Sequence, residues 1–181
     1  MLRLILIGFM GAGKTTLGKA LAKAMNCTFI DLDNYIESRY HCTVAQIFER
    51  DGEEGFRHKE REMLHEVAEF EDVIISAGGG TPCFFDNMDY MNRQGVTIYL
   101  KATPESLFRR LRAARTQRPL LAGMDDEAMQ QFIARSLQAR EPFYNRAHEF
   151  FASDYLEDKK QISQSVEKLQ IQLNLISKTT V

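Results

Sequence analysis

A glycine-rich run near the start of the chain has the composition and spacing to bind nucleotide phosphates. Residues 8–16 read GFMGAGKTT, with an apolar strand pattern before them and a helical pattern after them. In such a loop, glycines let successive backbone N–H groups point at phosphate oxygens, and the following helix presents the positive end of its dipole. Lys14 would reach the β- and γ-phosphates, and the Thr15 hydroxyl would bind Mg²⁺. The alternative is a glycine-rich turn with an incidental lysine, but both flanks favour a site for a nucleoside triphosphate.

Two carboxylates follow the second predicted strand. Asp31 and Asp33 flank Leu32, and strand alternation would send both carboxylates to one side. Beside a triphosphate, the pair could hold Mg²⁺ through water and accept a proton or hydrogen bond from an attacking hydroxyl. The apolar run at 73–75 lacks the metal-binding acid of many phosphate-loop proteins, so Asp31 is the natural substitute. The alternative is a helix N-cap, a role for which Asp33 is suited and which is compatible with the first.

Three consecutive glycines follow the third predicted strand. Gly78, Gly79 and Gly80 come directly after a short apolar run, at the same edge of the sheet as the phosphate loop. Packing inside a strand does not require three glycines. They form either a flexible turn or a stretch of backbone that approaches a ligand closely. Their position beside the phosphate loop favours the second interpretation.

Arginines are the remaining candidates for ligand binding. Arg57 and Glu60 can face one another at the i, i+3 spacing of a helix. Arg115 and Arg118 flank a short polar stretch between two helices, and Arg140 lies near the end of the helix that follows. A single arginine is most often a solvated surface residue. Several guanidinium groups that converge on one edge would instead bind a small substrate with a carboxylate or phosphate.

Alternating strand and helix patterns predict the framework for these residues, a three-layer α/β fold with helices on both faces of a parallel sheet. The five predicted strands span residues 2–7, 28–32, 73–76, 96–100 and 150–153. The predicted helices span residues 14–25, 43–70 with a break near Gly52, 104–113, a stretch that Asp125 caps, and 158–173. Ligands of open parallel sheets bind outside the carboxyl ends of the strands, where the candidate residues lie.

Local signals mark helix ends and faces. Thr43 with Gln46 has the pattern of a capping box, and Thr103 is a predicted N-cap before Pro104. The last helix carries an apolar stripe made of Ile162, Val166, Leu169 and Leu173. Packing within this domain is the favoured interpretation of the stripe, and a partner helix is the alternative.

Size, composition and charge narrow the functional classes. The chain has 181 residues, 44% hydrophobic and 27% charged, as expected for one globular domain over residues 1–181. A net charge of -2 gives no overall attraction to nucleic acid or to an anionic membrane. No apolar stretch has the pattern of a membrane span or signal peptide. Cys27, Cys42 and Cys83 are odd in number and widely spaced, which suits reduced thiols in the cytoplasm.

Taken in order, these pieces resemble the shikimate kinase family. The matching pieces are the loop at 8–16, Asp31 with Asp33, Phe56 with Arg57 and Glu60, glycines 78–80, the run RPLL at 118–121, and Arg140 with Pro142 and Tyr144. A phosphate loop alone also occurs in switches and motors, whereas six pieces in family order over about four fifths of the chain are specific. The resemblance implies a P-loop kinase fold with a mobile lid at about 112–124 that closes over ATP and excludes water.

The resemblance also implies the reaction. Members of this family transfer the γ-phosphoryl group of ATP to the 3-hydroxyl of shikimate and produce shikimate 3-phosphate and ADP, on the pathway to chorismate and the aromatic amino acids. The family uses Mg²⁺ and is usually monomeric. We therefore expect a cytoplasmic, monomeric small-molecule kinase with ATP and shikimate as substrates, Mg²⁺ as cofactor, and no nucleic-acid or membrane partner.

Site residues follow from the resemblance position by position. ATP would contact Gly11, Ala12, Gly13, Lys14, Thr15, Thr16, Arg115 and Arg118. Shikimate would contact Asp33, Arg57, Gly78, Gly79, Gly80 and Arg140. Mg²⁺ would be bound by Thr15 directly and by Asp31 through water. The expected catalytic residues are Lys14 and Arg118, which stabilise charge on the transferring phosphoryl group, and Asp33, which orients or deprotonates the hydroxyl.

Further roles follow from the same resemblance. Arg57 and Arg140 would clamp the shikimate carboxylate, and Glu60 would hold Arg57 in place. Phe48 and Phe56 would either wall the shikimate ring or belong to the core. The wall of the adenine pocket would lie near residues 153–154. The candidates for stacking on adenine are Arg109, Arg110, Arg112 and Arg115, of which we expect Arg115.

Three rival functions share part of this pattern. A kinase of another hydroxylated acid, such as gluconate, has the same loop but does not need Asp33, Arg57, Arg140 and the three glycines together. A nucleoside monophosphate kinase would use its arginines to bind a phosphate instead of a carboxylate. A nucleotide-binding switch or scaffold without catalysis would leave the substrate residues without a purpose.

Overall fold

Five parallel strands form the centre of the computed structural model, which describes residues 2–114, 121 and 123–179. The strands are β1 Arg3–Ile7, β2 Thr28–Asp31, β3 Val73–Ser76, β4 Val96–Lys101 and β5 Glu149–Ala152. Their order in the sheet is β2-β3-β1-β4-β5, and every neighbouring pair is parallel. The predicted five-stranded parallel sheet is therefore confirmed, and no predicted strand end is displaced by more than one residue.

Within the described residues, seven α-helices and one 3₁₀ helix accompany the sheet. They are α1 Lys14–Met25, α2 Leu32–Tyr40, α3 Val44–Val67, the 3₁₀ helix Thr81–Cys83, α4 Asn87–Gln94, α5 Pro104–Ala113, α6 Asp126–Tyr144 and α7 Lys159–Thr179. The sequence patterns did not predict α2, the 3₁₀ helix or α4, because each has nine residues or fewer and cannot show a repeated apolar stripe. Among the helices described, none is both long and apolar enough to cross a bilayer.

Side chains cap the long helices where the sequence predicts caps. At the start of α3, the Gln46 N–H donates to the Thr43 hydroxyl at 3.2 Å, and the Thr43 N–H donates to the Gln46 side chain at 2.8 Å. Thr103 caps α5, and Asp125 caps α6 by accepting from the Ala128 N–H at 2.8 Å. These contacts satisfy backbone donors that the first helical turn leaves unpaired. Local sequence therefore sets where α3 and α6, the helices that carry Arg57 and Arg140, begin.

The core is built around β1 and β3. Residues 4–7 and 73–75 are buried, because helices cover the sheet where these central strands lie. The apolar stripe of α7 also packs within the chain, since Val166, Leu169 and Leu173 are buried and α7 contacts α1. This confirms the favoured interpretation of that stripe, with α1 as the neighbouring element.

A glycine lets α3 change direction before its site residues. Gly52 has φ 70° and ψ -177° inside α3, which confirms the predicted break. This backbone conformation is accessible almost only to glycine. The turns after the kink carry Arg57 and Glu60, so the direction of this part of α3 depends on Gly52.

Replacing Gly52 with Ala is expected to lower the free energy of unfolding by about 1–3 kcal/mol, because the new Cβ disfavours the native backbone conformation. That Cβ would meet no atom within 4 Å, so the loss would come from conformational strain without a clash. Urea unfolding measures the difference. The control Glu54→Ala changes an exposed residue of the same helix and should shift stability by less than about 0.5 kcal/mol. Equal stability of Gly52→Ala and wild type would contradict the strain argument.

Candidate active site

The phosphate loop joins β1 to α1 and requires glycine at both ends. Gly8 has φ 140°, and a Cβ there would lie 2.7 Å from a carbonyl oxygen of β4. Gly13 is the N-cap of α1 with φ 94°, and a Cβ there would overlap the side chain of Leu156. Between them, the Ala12 N–H donates to the Phe9 carbonyl at 3.1 Å. The loop therefore curls tightly around the start of α1, as a phosphate-binding loop must.

Lys14 is the first residue of α1, and its ammonium group lies against the phosphate loop. Its Nζ donates to the carbonyl oxygens of Gly8 at 2.8 Å and Phe9 at 3.1 Å. These contacts hold the positive charge beside the helix N-terminus, where the backbone dipole also favours an anion. A phosphate bound in the loop would meet both positive contributions.

A hydrogen bond joins the first turn of α1 to the end of β2. The Thr15 hydroxyl donates to Oδ2 of Asp31 at 2.8 Å, and the other oxygen of Asp31 accepts from the Asn34 N–H at 3.5 Å. Asp31 is thus the N-cap of α2, and the cap role considered for Asp33 is wrong. Strand alternation is also the wrong explanation for the pair, because α2 begins at Leu32 and the turn into the helix brings both carboxylates to this edge.

The Asp33 carboxyl group has a raised proton affinity. It keeps accessible surface because it lines an open cavity, but protein atoms crowd it from the other directions. This desolvation, together with the negative charges of Asp31 and Glu60, raises the pKa of Asp33 to about 6, against the opposing effect of Lys14. Asp33 therefore exchanges a proton close to neutral pH, which suits a general base.

Arg57 on α3 contacts two carboxylates and several aromatic rings, and its Nη2 donates to Oε1 of the exposed Glu53 at 3.4 Å. Its Nη1 donates to Oε2 of Glu60 at 2.8 Å, which confirms the predicted pairing; the side chains are 11% and 1% exposed. The guanidinium carbon lies 4.0 Å from the ring centroid of Phe84. Its Nε is buried and finds no hydrogen-bond partner within the described part of the chain. Arg57 is thus held in place beside the glycine segment.

Three aromatic rings surround the Arg57 guanidinium. Phe48 and Phe56 stack with centroids 4.3 Å apart, and the guanidinium carbon lies 5.9 Å and 5.1 Å from them. Phe56 is buried in the core and Phe48 is half-buried, so both rings support the arginine. Phe84, just after the 3₁₀ helix, is a site neighbour that the sequence did not reveal, because it belongs to no periodic pattern.

The glycine segment, residues 78–80, leads from β3 into the 3₁₀ helix. A Cβ on its first glycine would lie 2.9 Å from Oε1 of Glu60 and 3.1 Å from Oδ1 of Asp33. A Cβ on its third glycine would lie 2.7 Å from Nη2 of Arg57. None of the three has a positive φ, so the backbone conformation does not require glycine here. Polar side chains would have to shift to admit a Cβ at Gly78 or Gly80, whereas at Gly79 the nearest atoms lie at an ordinary contact distance of 3.4 Å. This crowding argues against the flexible-turn interpretation.

Arg140 reaches the glycine segment from α6. Its Nη1 lies 3.4 Å from the position of a Cβ on Gly79, and its guanidinium carbon lies 5.4 Å from the ring centroid of Phe9. One helical turn later, the Tyr144 hydroxyl donates to the Gly79 carbonyl at 2.5 Å. The structure therefore brings Arg57 and Arg140 to neighbouring residues of one short segment, as the convergent-arginine hypothesis requires.

Arg110 on α5 joins the phosphate loop to the chain after β5. It donates to the carbonyl oxygens of Gly11 at 3.2 Å, Ser153 at 2.7 Å and Asp154 at 2.8 Å. Desolvation lowers the pKa of its guanidinium group. The Asp154 carboxylate accepts from the N–H and hydroxyl of Thr103, so it braces the start of α5. The sequence placed Arg110 near the site but could not distinguish it from the other arginines of α5.

One cavity of about 500 Å³ connects most of these groups. Its lining includes Gly11, Gly13, Lys14, Thr15, Thr16, Asp31, Asp33, Gly78, Gly79 and Arg110. Arg57 and Arg140 contact the glycine segment that forms one wall. A second cavity, of about 690 Å³, lies among α5, α6 and β5, but its Lys101 and Glu141 pair with each other at 3.3 Å. The phosphate loop therefore opens into the cavity that is lined by the candidate charged and hydrogen-bonding groups.

Two predicted site residues lie outside the described residues. They are Arg115, the expected adenine contact, and Arg118, the expected catalytic arginine. Residues 115–120 and 122 of the expected lid lie outside as well. At the lid's start, Arg112 forms an ion pair with Asp126 at 3.1 Å.

Comparisons with known proteins agree on one family. The model of the shikimate kinase family matches residues 10–170. A shikimate kinase of Phocaeicola vulgatus is 60% identical over 174 residues, which cover 96% of this chain and 99% of the relative. The crystal structure of a shikimate kinase from Bacteroides thetaiotaomicron superposes with a TM-score of 0.94 at 56% identity, covering 96% of this chain and 98% of that one. A shikimate kinase from Acinetobacter baumannii, solved in complex with shikimate, gives a TM-score of 0.83 at 30% identity, with coverage of 96% and 94%.

The raised pKa of Asp33 predicts a pH-dependent cost to stability. The folded state binds the Asp33 proton more tightly than the unfolded state, so stability falls as pH rises from about 4 to about 6, and the cost persists above that range. Asp33→Asn should therefore raise the melting temperature relative to wild type at pH 8, and change it little at pH 4. Thermal unfolding at both pH values measures this. The same difference at pH 4 and pH 8 would contradict the raised pKa.

Proposed function

Since this chain belongs to the shikimate kinase family, we propose that it transfers the γ-phosphoryl group of ATP to the 3-hydroxyl of shikimate, yielding shikimate 3-phosphate and ADP. This reaction lies on the pathway to chorismate and the aromatic amino acids. The observation that carries the proposal is the arrangement of two arginines on one glycine segment, beside a phosphate loop. A phosphate loop explains ATP, and the arginines explain an anionic acceptor.

Arg57 and Arg140 form the proposed clamp for the shikimate carboxylate. Guanidinium groups bind carboxylates through charge-assisted hydrogen bonds with defined geometry. The Nη atoms of Arg57 lie 2.7 Å and 3.0 Å from the position of a Cβ on Gly80, which supports this role. Gly78, Gly79 and Gly80 form the adjoining wall of the shikimate site in this proposal.

Asp33 is the proposed proton acceptor for the attacking hydroxyl. Its carboxylate lines the same cavity as the phosphate loop. With a pKa of about 6, it is mostly ionised at neutral pH and still binds a proton well enough to draw one from a hydroxyl in the transition state. It would also hold the shikimate ring hydroxyls by hydrogen bonds, which fixes the attacking oxygen in line with the γ-phosphorus.

ATP binding is assigned to the phosphate loop and the lid. Lys14 would leave its contacts with the loop carbonyls and stabilise negative charge on the transferring phosphoryl group, with the N–H groups of residues 11–16 around the phosphates. Arg118 would add a second positive charge from the lid at about 112–124, whose closure excludes water. Arg115 remains the predicted adenine contact, and Arg110 would brace that side of the site through its three carbonyl contacts.

Mg²⁺ is the proposed cofactor. The Thr15 hydroxyl and Asp31 carboxylate present hard oxygen donors at the cavity, 2.8 Å apart, which fits the preference of this ion. Among the described residues, no group of three or more His, Cys, Asp or Glu residues could hold a metal by itself. Thr15 would bind the ion directly and Asp31 through water, together with ATP oxygens. When bound, Mg²⁺ neutralises part of the phosphate charge.

We also propose a cytoplasmic monomer that folds as a single domain over residues 1–181. The three free thiols, those of Cys27, Cys42 and Cys83, support a reducing compartment. The net charge of -2 likewise offers no general attraction to nucleic acid or anionic lipid.

A coupled assay of ADP release tests the proposed reaction directly. ATP and Mg²⁺ are supplied with shikimate and, in parallel, with gluconate, quinate, AMP or CMP. We expect turnover that depends on shikimate. Turnover only with gluconate or a nucleoside monophosphate would retain the phosphate loop argument and overturn the acceptor, and ATP binding without any turnover would indicate a nucleotide-binding protein.

Arg140→Ala should weaken shikimate binding far more than ATP binding. The change removes a charge-assisted contact worth about 1.5–3 kcal/mol. Because about 1.4 kcal/mol corresponds to a factor of ten, the KM for shikimate should rise at least tenfold. Arg135→Ala is the matched control, because it removes the same charge from an exposed position on α6. Steady-state kinetics with each substrate varied in turn measures both constants. An equal loss of ATP affinity would contradict the clamp assignment.

A further inference from the structure

We propose that Thr81 and Tyr144 are positioning residues that fix the two arginines of the proposed clamp to one stretch of backbone. The inference rests on the proposed function, since it concerns how the shikimate carboxylate is bound. Neither residue lines the cavity of the phosphate loop, and both are fully buried. They therefore act through Glu60 and the Gly79 carbonyl, to which their hydroxyl groups donate.

Thr81 holds Arg57 through Glu60. The Thr81 hydroxyl donates to Oε1 of Glu60 at 2.5 Å, while Oε2 of the same carboxylate accepts from Arg57 at 2.8 Å. Because Glu60 is 1% exposed, water cannot replace a lost donor to its oxygen. Without the Thr81 hydroxyl, the Glu60 carboxylate would turn to satisfy both oxygens. Arg57, which is bonded to that carboxylate, would move with it.

The backbone of Thr81 is held as firmly as its side chain. Its N–H donates to the Gly78 carbonyl at 3.2 Å, and its own carbonyl accepts from the Asn87 side chain at 2.9 Å. Thr81 directly follows Gly80, whose Cβ position lies 2.7 Å from the Arg57 guanidinium. A shift of the Glu60 carboxylate would therefore change where Arg57 lies relative to the glycine segment.

Tyr144 holds Arg140, the second arginine of the clamp. Its hydroxyl donates to the Gly79 carbonyl at 2.5 Å, and Arg140, whose Nη1 lies 3.4 Å from the position of a Cβ on Gly79, stands four residues earlier on the same helix. Its ring packs against Tyr99 of β4, with centroids 5.0 Å apart. The Tyr144 hydroxyl thus fixes the distance between α6 and the glycine segment, and with it the position of Arg140.

The contacts that hold Arg57 and Arg140 both involve residues 79–81, so the spacing of the two arginines depends on this short stretch. A carboxylate has a fixed size, and two guanidinium groups grip it together only at a matching separation. Loss of either hydroxyl should therefore raise the KM for shikimate. Neither hydroxyl donates to the phosphate loop, so the KM for ATP should change little.

The test compares Thr81→Val and Tyr144→Phe with two matched controls. Val has the shape of Thr without its hydroxyl, and Phe retains the Tyr144 ring. Thr81→Ser keeps the hydroxyl, and Tyr99→Phe removes the same atom from the neighbouring buried tyrosine, which lies outside the clamp. For each protein, we would measure the KM for shikimate, the KM for ATP and the melting temperature.

We expect Thr81→Val and Tyr144→Phe each to raise the KM for shikimate about fivefold or more, with the KM for ATP within about twofold of wild type. Thr81→Ser and Tyr99→Phe should keep both constants near wild type. A lower melting temperature with an unchanged KM for shikimate would show a purely structural role and overturn the inference. If Thr81→Val does not fold, Tyr144→Phe decides the question, since it retains the packed ring.

The same data separate this inference from the proposed function. A wild-type enzyme without shikimate-dependent turnover overturns the function and this inference together. An active wild-type enzyme with four variants of equal KM for shikimate overturns the positioning role alone. An equal rise in both KM values would place the effect on the whole site and also contradict the inference.

Discussion

The buried charge of Glu60 is the constraint on which the candidate site depends most. A carboxylate that is 1% exposed loses its hydration, and an unpaired charge in such a place costs several kcal/mol. Arg57 supplies the opposite charge from the same helix, and Thr81 supplies a hydroxyl from the segment after β3. α3 must therefore dock against that segment. The absence of a side chain at Gly78 leaves room for the Glu60 carboxylate, because a Cβ there would lie 2.9 Å from Oε1 of Glu60.

The order of the strands explains why acids and bases from distant positions gather at one edge. β3 lies between β2 and β1, so the ends of these strands place Asp31, the glycine segment and the phosphate loop side by side. Desolvation at this crowded edge, together with the neighbouring carboxylates, raises the pKa of Asp33, and Lys14 only partly offsets that rise. The same gathering that creates a cavity for an anionic nucleotide therefore also creates a group that titrates near neutral pH.

The sequence predicted the strands, the phosphate loop and the major caps because each signal lies in residues close together in the chain. Thr43 and Gln46 form a capping box between residues three positions apart. The sequence did not predict the strand order, which depends on distant pairings such as Leu4 with Ile74. It did not predict α2, α4 or the role of Phe84, since short helices and isolated rings carry no periodic signal. The sequence also did not show why three glycines follow β3. A Cβ at Gly78 or Gly80 would crowd Glu60, Asp33 or Arg57, whose positions exist only in the folded chain.

Asp31 and Asp33 are similar carboxylates that lie in different environments. Asp31 is fixed by the Thr15 hydroxyl and by the N–H of Asn34, at the positive end of α2. Such an anion is oriented and suited to hold a cation through water. Asp33, two residues later, lies inside the first turn, where desolvation and two neighbouring carboxylates oppose its charge. That environment suits the proton acceptor proposed for Asp33, so ending β2 one residue earlier than predicted separates the surroundings of the two carboxylates.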